Sequence, residues 1–150
     1  MITREQMNTK KPNEDEYGYR ELDIMNERHN PHSLWGLSFF DIKDNSKILD
    51  IGCGGGRNLQ NLYMKNTKSK LWGIDYSSAS VKKSISFNKE LVDEGKLYVE
   101  EGNVNKLPYK DDFFDVITAF ETIYFWDDLE EDFKEIYRCL RRNGLYISLK

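Results

Sequence analysis

The chain has 150 residues, of which 39% are hydrophobic and 32% charged, with 10 Gly, 3 Pro and a net charge of −4. That length suits one domain of the common ~100–150 residues, and the composition excludes a disordered or collagen-like chain. No run of ~18 apolar residues is present, so no membrane span is expected, and the polar start lacks the apolar block of a secretory signal.

Charge narrows the partners. A nucleic-acid binder usually carries a basic stripe that neutralises phosphates. Here Lys82-Lys83 and Arg141-Arg142 are isolated pairs that read as solvated helix faces. Neither a nucleic acid nor a membrane surface is expected as a partner. Cys53 and Cys139 lie far apart and in no metal-ligand spacing, which points to a reduced, cytoplasmic setting and no structural metal.

Residues 1–16 are polar and read as a flexible tail, ahead of one domain over 17–150. Residues 17–40 have a helical pattern, with Leu22, Ile24 and Met25 on one side and Leu34, Leu37 and Phe40 recurring at helical spacing. Pro31 should break it. Lys47–Ile51 is a short apolar strand that runs into the glycine cluster of residues 52–56. Arg57–Lys65 is a helix with Leu59, Leu62 and Tyr63 inward. Leu71–Ile74 is a second strand ended by Asp75, and Ser77–Glu94 is a helix offering Val81, Ile85 and Leu91 for burial. Leu97–Val99 is a third strand. Phe114–Phe120, nearly all apolar, is a fourth, of the kind covered on both faces.

Asp128 should cap the next helix, with Glu131 as its capping-box partner. Leu129, Phe133, Ile136 and Leu140 form the expected inner stripe, and Gly144 the expected stop. Leu145–Leu149 is a fifth strand. Strands alternating with helices predict an α/β fold, an open parallel sheet with right-handed crossovers. Ligands bind such sheets beyond the carboxyl ends of the strands.

The run Asp50-Ile51-Gly52-Cys53-Gly54-Gly55-Gly56 has more glycine than a tight turn requires. Glycines there let a ligand approach the backbone. A dinucleotide fingerprint, Gly-x-Gly-x-x-Gly, fails in both registers, because its third glycine falls on Arg57 or Leu59. No Gly-Lys-Ser/Thr follows, so a P-loop is excluded. Asp50 would repel a pyrophosphate and suits a phosphate-free ligand with positive charge near the loop. Asp75, at the tip of the second strand, is placed to accept hydrogen bonds from ribose hydroxyls. Asn103, just past the third strand, can bond an adenine edge as donor and acceptor, although a plain turn explains the segment equally well.

These segments resemble class I methyltransferases that use S-adenosylmethionine, in particular small bacterial members. Asp50, Gly52, Gly54 and Gly56 match that family's first motif, Gly73–Ser77 its second, and Gly102–Val104 with Leu107–Tyr109 its third, although many members have Asp where Asn103 stands. Phe114–Ile117 resembles the fourth strand, and Arg138–Gly144 the helix end before strand five. Residues 17–40, with Asn26–His29 and Leu34–Leu37, are similar to the helical lid.

The resemblance implies a Rossmann-like sheet of order 3-2-1-4-5 with helices on both faces. It implies that Gly52, Cys53, Gly54 and Gly56 approach the methionine part of S-adenosylmethionine and that Asp50 orients its ammonium. Asp75 would hold the ribose, Tyr76 would flank the adenine, Asn103 and Val104 would meet its edge, and Phe120 and Glu121 would lie near the sulfonium. The acceptor is expected to be a small molecule. If it must lose a proton, candidate bases are Glu121, Tyr124, Tyr19, His29 and His32. The His29-x-x-His32 spacing reads as lid packing rather than a metal site. The trio Tyr124-Phe125-Trp126 could line an acceptor pocket, but an aromatic trio before a helix is more often core, and core is the favoured reading. No Asn-Pro-Pro-Tyr motif follows strand four, which disfavours amino methylation of adenine or glutamine. The family continues past strand five with two further strands, absent here. An intact donor site, an incomplete acceptor pocket and an open fifth-strand edge that pairs in a homodimer are therefore expected. Two other functions stay in play: a donor-binding module without transfer activity, and a nicotinamide-dependent oxidoreductase.

Overall fold

The computed structural model describes residues 11–150. Five parallel strands, β1 (Lys47–Ile51), β2 (Lys70–Asp75), β3 (Leu97–Glu101), β4 (Phe114–Phe120) and β5 (Leu140–Leu149), form one sheet in the order β3-β2-β1-β4-β5. The order reverses beside β1, which opens a crevice at its carboxyl end. Apolar residues leave both faces of the central strands. Ile48, Leu71, Val116 and Phe120 join the core under α2 (Arg57–Lys65), with Leu59 and Leu62. Leu49, Ile74, Ile117 and Ala119 join the opposite core, with Val104 and with Ile136 of α5 (Leu129–Cys139).

The N-terminal segment differs from expectation. α1 (Glu16–Leu37) runs unbroken through Pro31. Pro31 and Glu27, whose carbonyl loses its helical donor, are both exposed, so water can replace the missing bond. Before α1, the Pro12 carbonyl accepts from Ser77 Oγ at 3.2 Å, and Glu14 pairs with Ser78 and Lys82. Residues 11–15 therefore lie against the start of the third helix. The rest of the expected tail, residues 1–10, lies outside the described residues.

The segment 77–94 is two helices, α3 (Ser78–Phe87) and α4 (Lys89–Asp93). Their buried face is polar: Ser80, Ser84 and Asn88 are buried, whereas Val81, Ile85 and Leu91 are only partly so. α5 also corrects the expected stripe. Asp132, Ile136 and Cys139 face inward, Leu129 and Phe133 are exposed, and Leu140 already belongs to β5. Gly144 does not stop the helix. It lies within β5, where the register jumps from Phe114↔Leu140 to Val116↔Leu145. Asn143 takes a left-handed φ of 64° there.

Leu62 is fully buried between α2 and the sheet, whereas Tyr137 on α5 is 83% exposed. Leu62→Ala should lower unfolding free energy by about 2–5 kcal/mol and Tyr137→Ala by less than about 0.5 kcal/mol, measured by urea denaturation.

Candidate active site

The glycine loop joins β1 to α2 at the sheet's crevice, and side chains from α1, α3, the α3–α4 junction and a strand tip set its shape. Gly52 N–H and Cys53 N–H donate to the Ile74 carbonyl at 2.8 and 3.2 Å. Gly54 N–H donates to Asp75 Oδ2 at 2.9 Å. The Gly54, Gly55 and Gly56 carbonyls accept from Ser84, Asn26 and Asn88 at 2.8, 3.1 and 3.0 Å. The polar face of α3 therefore serves the loop's backbone, a role that hydrophobic patterning does not reveal.

The glycines have different reasons. A Cβ on Gly55 would meet Asn26 at 2.5 Å, and one on Gly56 would meet Asn88 at 2.7 Å. Those two admit neighbouring helices. Gly54, at φ +53°, would carry its Cβ into open space, so it is the member of the loop that leaves room for a ligand. Gly52 looks toward Thr122, whose Oγ1 would lie 2.3 Å from an added Cβ.

α1 lies across the loop. Asn26 is buried, and its Oδ1 accepts from Arg57 N–H at 3.3 Å. Asn30 Oδ1 accepts from Arg57 Nε at 3.2 Å and from Asn61 Nδ2 at 2.8 Å. The leading N–H of α2, which a bound phosphate would use, is thus already taken.

Two cavities flank Gly52. One is lined by Asp50, Cys53, Gly54, Asn26, His29, Arg57, Phe120 and Glu121. Asp50 is 2% exposed and receives only neutral donors, Thr118 Oγ1 at 2.6 Å and Asn58 Nδ2 at 3.2 Å. Loss of water outweighs those bonds and pushes its carboxyl up to about 7. Arg57 also lines this cavity, a site residue that the sequence reading used only to reject a dinucleotide. The Cys53 thiol is buried, and burial raises it well above the usual thiol range, so it is a packing group rather than a nucleophile.

The other cavity is lined by Ile74, Asp75, Tyr76, Asn103, Val104, Thr122, Phe125, Trp126, Asp127, Asp128 and Asp132. Asp75 Oδ1 accepts from Ser77 N–H at 2.9 Å. Burial raises its carboxyl despite these bonds and the charge of Lys11. Burial and the charges of Asp75 and Asp127 push the Tyr76 hydroxyl up to about 12. Asn103 Oδ1 accepts from Asn105 N–H at 3.2 Å while Val104 is buried beside it. Phe125 and Trp126 face this cavity rather than serving only as core, and Asp127, Asp128 and Asp132 join it, none of them anticipated as site residues.

Glu121 sits at the tip of β4 with a strained φ of 55°. Its carboxylate meets His32 Nδ1 at 3.0 Å and accepts from Tyr124 at 3.3 Å. Burial and the Glu121 charge raise the Tyr124 hydroxyl. Of the candidate bases, His29 and Glu121 line the first cavity, whereas Tyr19, His32 and Tyr124 line neither. Among the described residues, no cluster of His, Cys, Asp and Glu could hold a metal, and no helix is long and apolar enough to cross a membrane.

Asp50 supplies a pH test. Its folded value of about 7 exceeds the ordinary ~3.9 of an unfolded chain, so its charge opposes folding increasingly as pH rises between those values. Asp50→Asn keeps an acceptor for Thr118 and Asn58 and loses the charge. Its melting temperature should match wild type near pH 4 and exceed it by several degrees at pH 8, measured by calorimetry.

The comparisons agree with this geometry. Residues 49–148 match the family described as "Methyltransferase domain". A 24-methylenesterol C-methyltransferase 2 from Arabidopsis thaliana is 28% identical over 117 residues, which is 78% of this chain and 32% of that protein. Methyltransferase YcgJ from Bacillus subtilis is 28% identical over 67% of this chain and 39% of its own length. The YcgJ crystal structure superposes with a TM-score of 0.71 over 79% of this chain and 50% of that one. Geranyl diphosphate C-methyltransferase from Streptomyces coelicolor, solved with S-adenosyl-L-homocysteine, is 18% identical and has a TM-score of 0.73 over 98% of this chain and 54% of its own. The chain thus spans about a third to a half of these relatives. With its family match, strand order and glycine crevice, the chain belongs to the S-adenosylmethionine-dependent methyltransferase domain family with the class I, Rossmann-like fold.

Proposed function

We propose that this domain transfers a methyl group from S-adenosylmethionine to a small-molecule acceptor. The carrying observation is the pair of buried carboxylates, Asp50 and Asp75, on adjacent strands either side of a loop that is open at Gly54. Asp50 would hold the donor's ammonium, and Arg57 its carboxylate. Asp75 would accept from the ribose hydroxyls, for which its bonds to Gly54 and Ser77 fix the orientation. Tyr76, Asn103 and Val104 would enclose the adenine. Gly52, Cys53, Gly54 and Gly56 would line the path between the two ends, and Phe120 would form an apolar wall beside the sulfonium.

The bound donor supplies a methyl group already activated by positive sulfur. The chain's task is therefore chiefly to orient it and exclude water. α1, the lid of a domain spanning residues 17–150, supports that task through Asn26 and Asn30. Glu121, His29 and Tyr124 are the candidates to receive an acceptor proton, and Glu121 is the best supported because it borders the methionine-side cavity and holds both His32 and Tyr124. The match to a sterol C-methyltransferase supports transfer to a small molecule without naming one. The acidic net charge supports a partner other than nucleic acid, and two buried free thiols support a cytoplasmic setting.

Calorimetry with S-adenosylhomocysteine and with NAD tests the donor reading: only the first should bind, and Asp75→Ala should weaken it by tenfold or more, about 1.4 kcal/mol. Binding of NAD alone would restore the oxidoreductase reading. Methyl release to candidate acceptors separates transfer from a binding module without activity. β5 stands at the sheet edge, and its open backbone groups suit pairing with a second copy. Sedimentation should then give a dimer, and a monomer at every concentration would remove the pairing.

A further inference from the structure

Residues 11–15 are seated by few contacts, and those contacts converge on the acid at the tip of β2. Pro12 is the only buried residue of the five. Its carbonyl accepts from Ser77 Oγ at 3.2 Å. Ser77 is fully buried, and its N–H donates to Asp75 Oδ1 at 2.9 Å. Asp75 Oδ2 accepts from Gly54 N–H at 2.9 Å. A row of hydrogen-bonded groups thus runs from Pro12 to the glycine loop. Lys11 joins it from outside. Its Nζ lies 5.5 Å from the centre of the Tyr76 ring. Burial raises the Asp75 carboxyl, and the Lys11 charge works against that rise.

The other end of the segment is a clasp. Glu14 bonds Ser78 and Lys82 on α3. Asp15 caps α1 by accepting from Gly18 N–H at 2.8 Å, and a Cβ on Gly18 would overlap the Asn13 carbonyl oxygen. Glycine at 18 therefore lets the chain fold back on its own helix. Exposed ion pairs contribute little, and one buried proline is a small anchor. Such a segment belongs to the low-stability end of a fold, where it releases without unfolding the rest.

None of residues 11–15 lines either cavity beside Gly52. Seating therefore braces the wall made by Asp75 and Tyr76 without filling the space it borders. The seated and released states differ at Asp75, because only the first brings the Lys11 charge and ties Ser77 to Pro12. An ionised carboxylate is the form that accepts from two hydroxyls at once. A ligand that bonds Asp75 thus has different affinities for the two states and shifts the balance between them.

We propose that residues 11–15 form a strap whose seating on α3 is coupled to donor binding through Ser77 and Asp75, so that the donor tightens the strap and the strap tightens the donor. The coupling rests on the donor reading and adds a controlling element to it.

Such coupling is reciprocal, which makes it measurable from both sides. Amide exchange across residues 11–18 is followed by mass spectrometry with and without S-adenosylhomocysteine, and affinity is measured by calorimetry. In wild type the ligand should slow exchange in that segment about fivefold or more. Glu14→Lys, which sets two cations against each other at the clasp, should exchange faster there and bind the ligand several-fold more weakly. Adding Lys82→Glu to it should return both readings toward wild type. Asp93→Lys makes the same charge change at another exposed pair, Lys89–Asp93 at 2.7 Å, and should leave both as in wild type. Ligand binding without slower exchange in wild type would overturn the coupling and leave the donor reading intact. So would a Glu14→Lys variant with unchanged exchange or unchanged affinity. Tighter binding by Glu14→Lys would make the segment an obstacle and overturn it as well. Failure of wild type to bind the ligand would overturn both.

Discussion

A carboxylate taken out of water must find donors, a cation or a proton. Asp50, at the centre of the sheet, has two neutral donors in Thr118 and Asn58, and Asp75, on the adjoining strand, has two backbone N–H groups. The loop after β1 turns left-handed at Gly52 and Gly54, and there the Gly54 N–H meets Asp75. The cradle and its charge are therefore one device. On the proposed reading, the acid that orders the loop would also meet the donor, and the acid behind it would gain from the donor's cation. On the same reading a diphosphate would not suit the site: the carboxylates would repel it, and Asn26 occupies the leading donor of α2.

Polar side chains, rather than apolar ones, dock the surrounding helices on this loop. Asn26 from α1 and Asn88 at the end of α3 each approach a glycine closely and bond its carbonyl, while Ser84 of α3 packs on Gly56 and bonds the Gly54 carbonyl. Hydrocarbon packing would leave those carbonyls without donors in a buried place, which native chains avoid.

The sheet was legible because its signals are local and redundant. β1 and α2 lie where the apolar run and the Arg57–Lys65 periodicity put them, and the glycine cluster fixed the crevice between them. The errors share one cause, which is that periodicity scores hydrocarbon and not geometry. Pro31 reads as a break because the sequence does not tell which face of α1 meets water. α3 reads as having an apolar face because nothing local signals that its serines meet backbone carbonyls. On α5 the pattern puts the stripe on the bulkiest apolar residues, whereas the packed face is one step round the helix and includes an acid. Phe125 and Trp126 read as core because aromatic residues look alike in a sequence whether they fill an interior or border a cleft.

The two Asn26 contacts that help seat α1 have a kinetic corollary. They touch the Gly55 carbonyl and the first amide of α2, which belong to the floor of the methionine-side cavity. If the donor binds as proposed, a molecule that moved the N-terminal helix aside to reach the sulfur would also release those two bonds. Entry of one reactant and departure of spent donor would then depend on the same element, and a stiffer helix would slow both together.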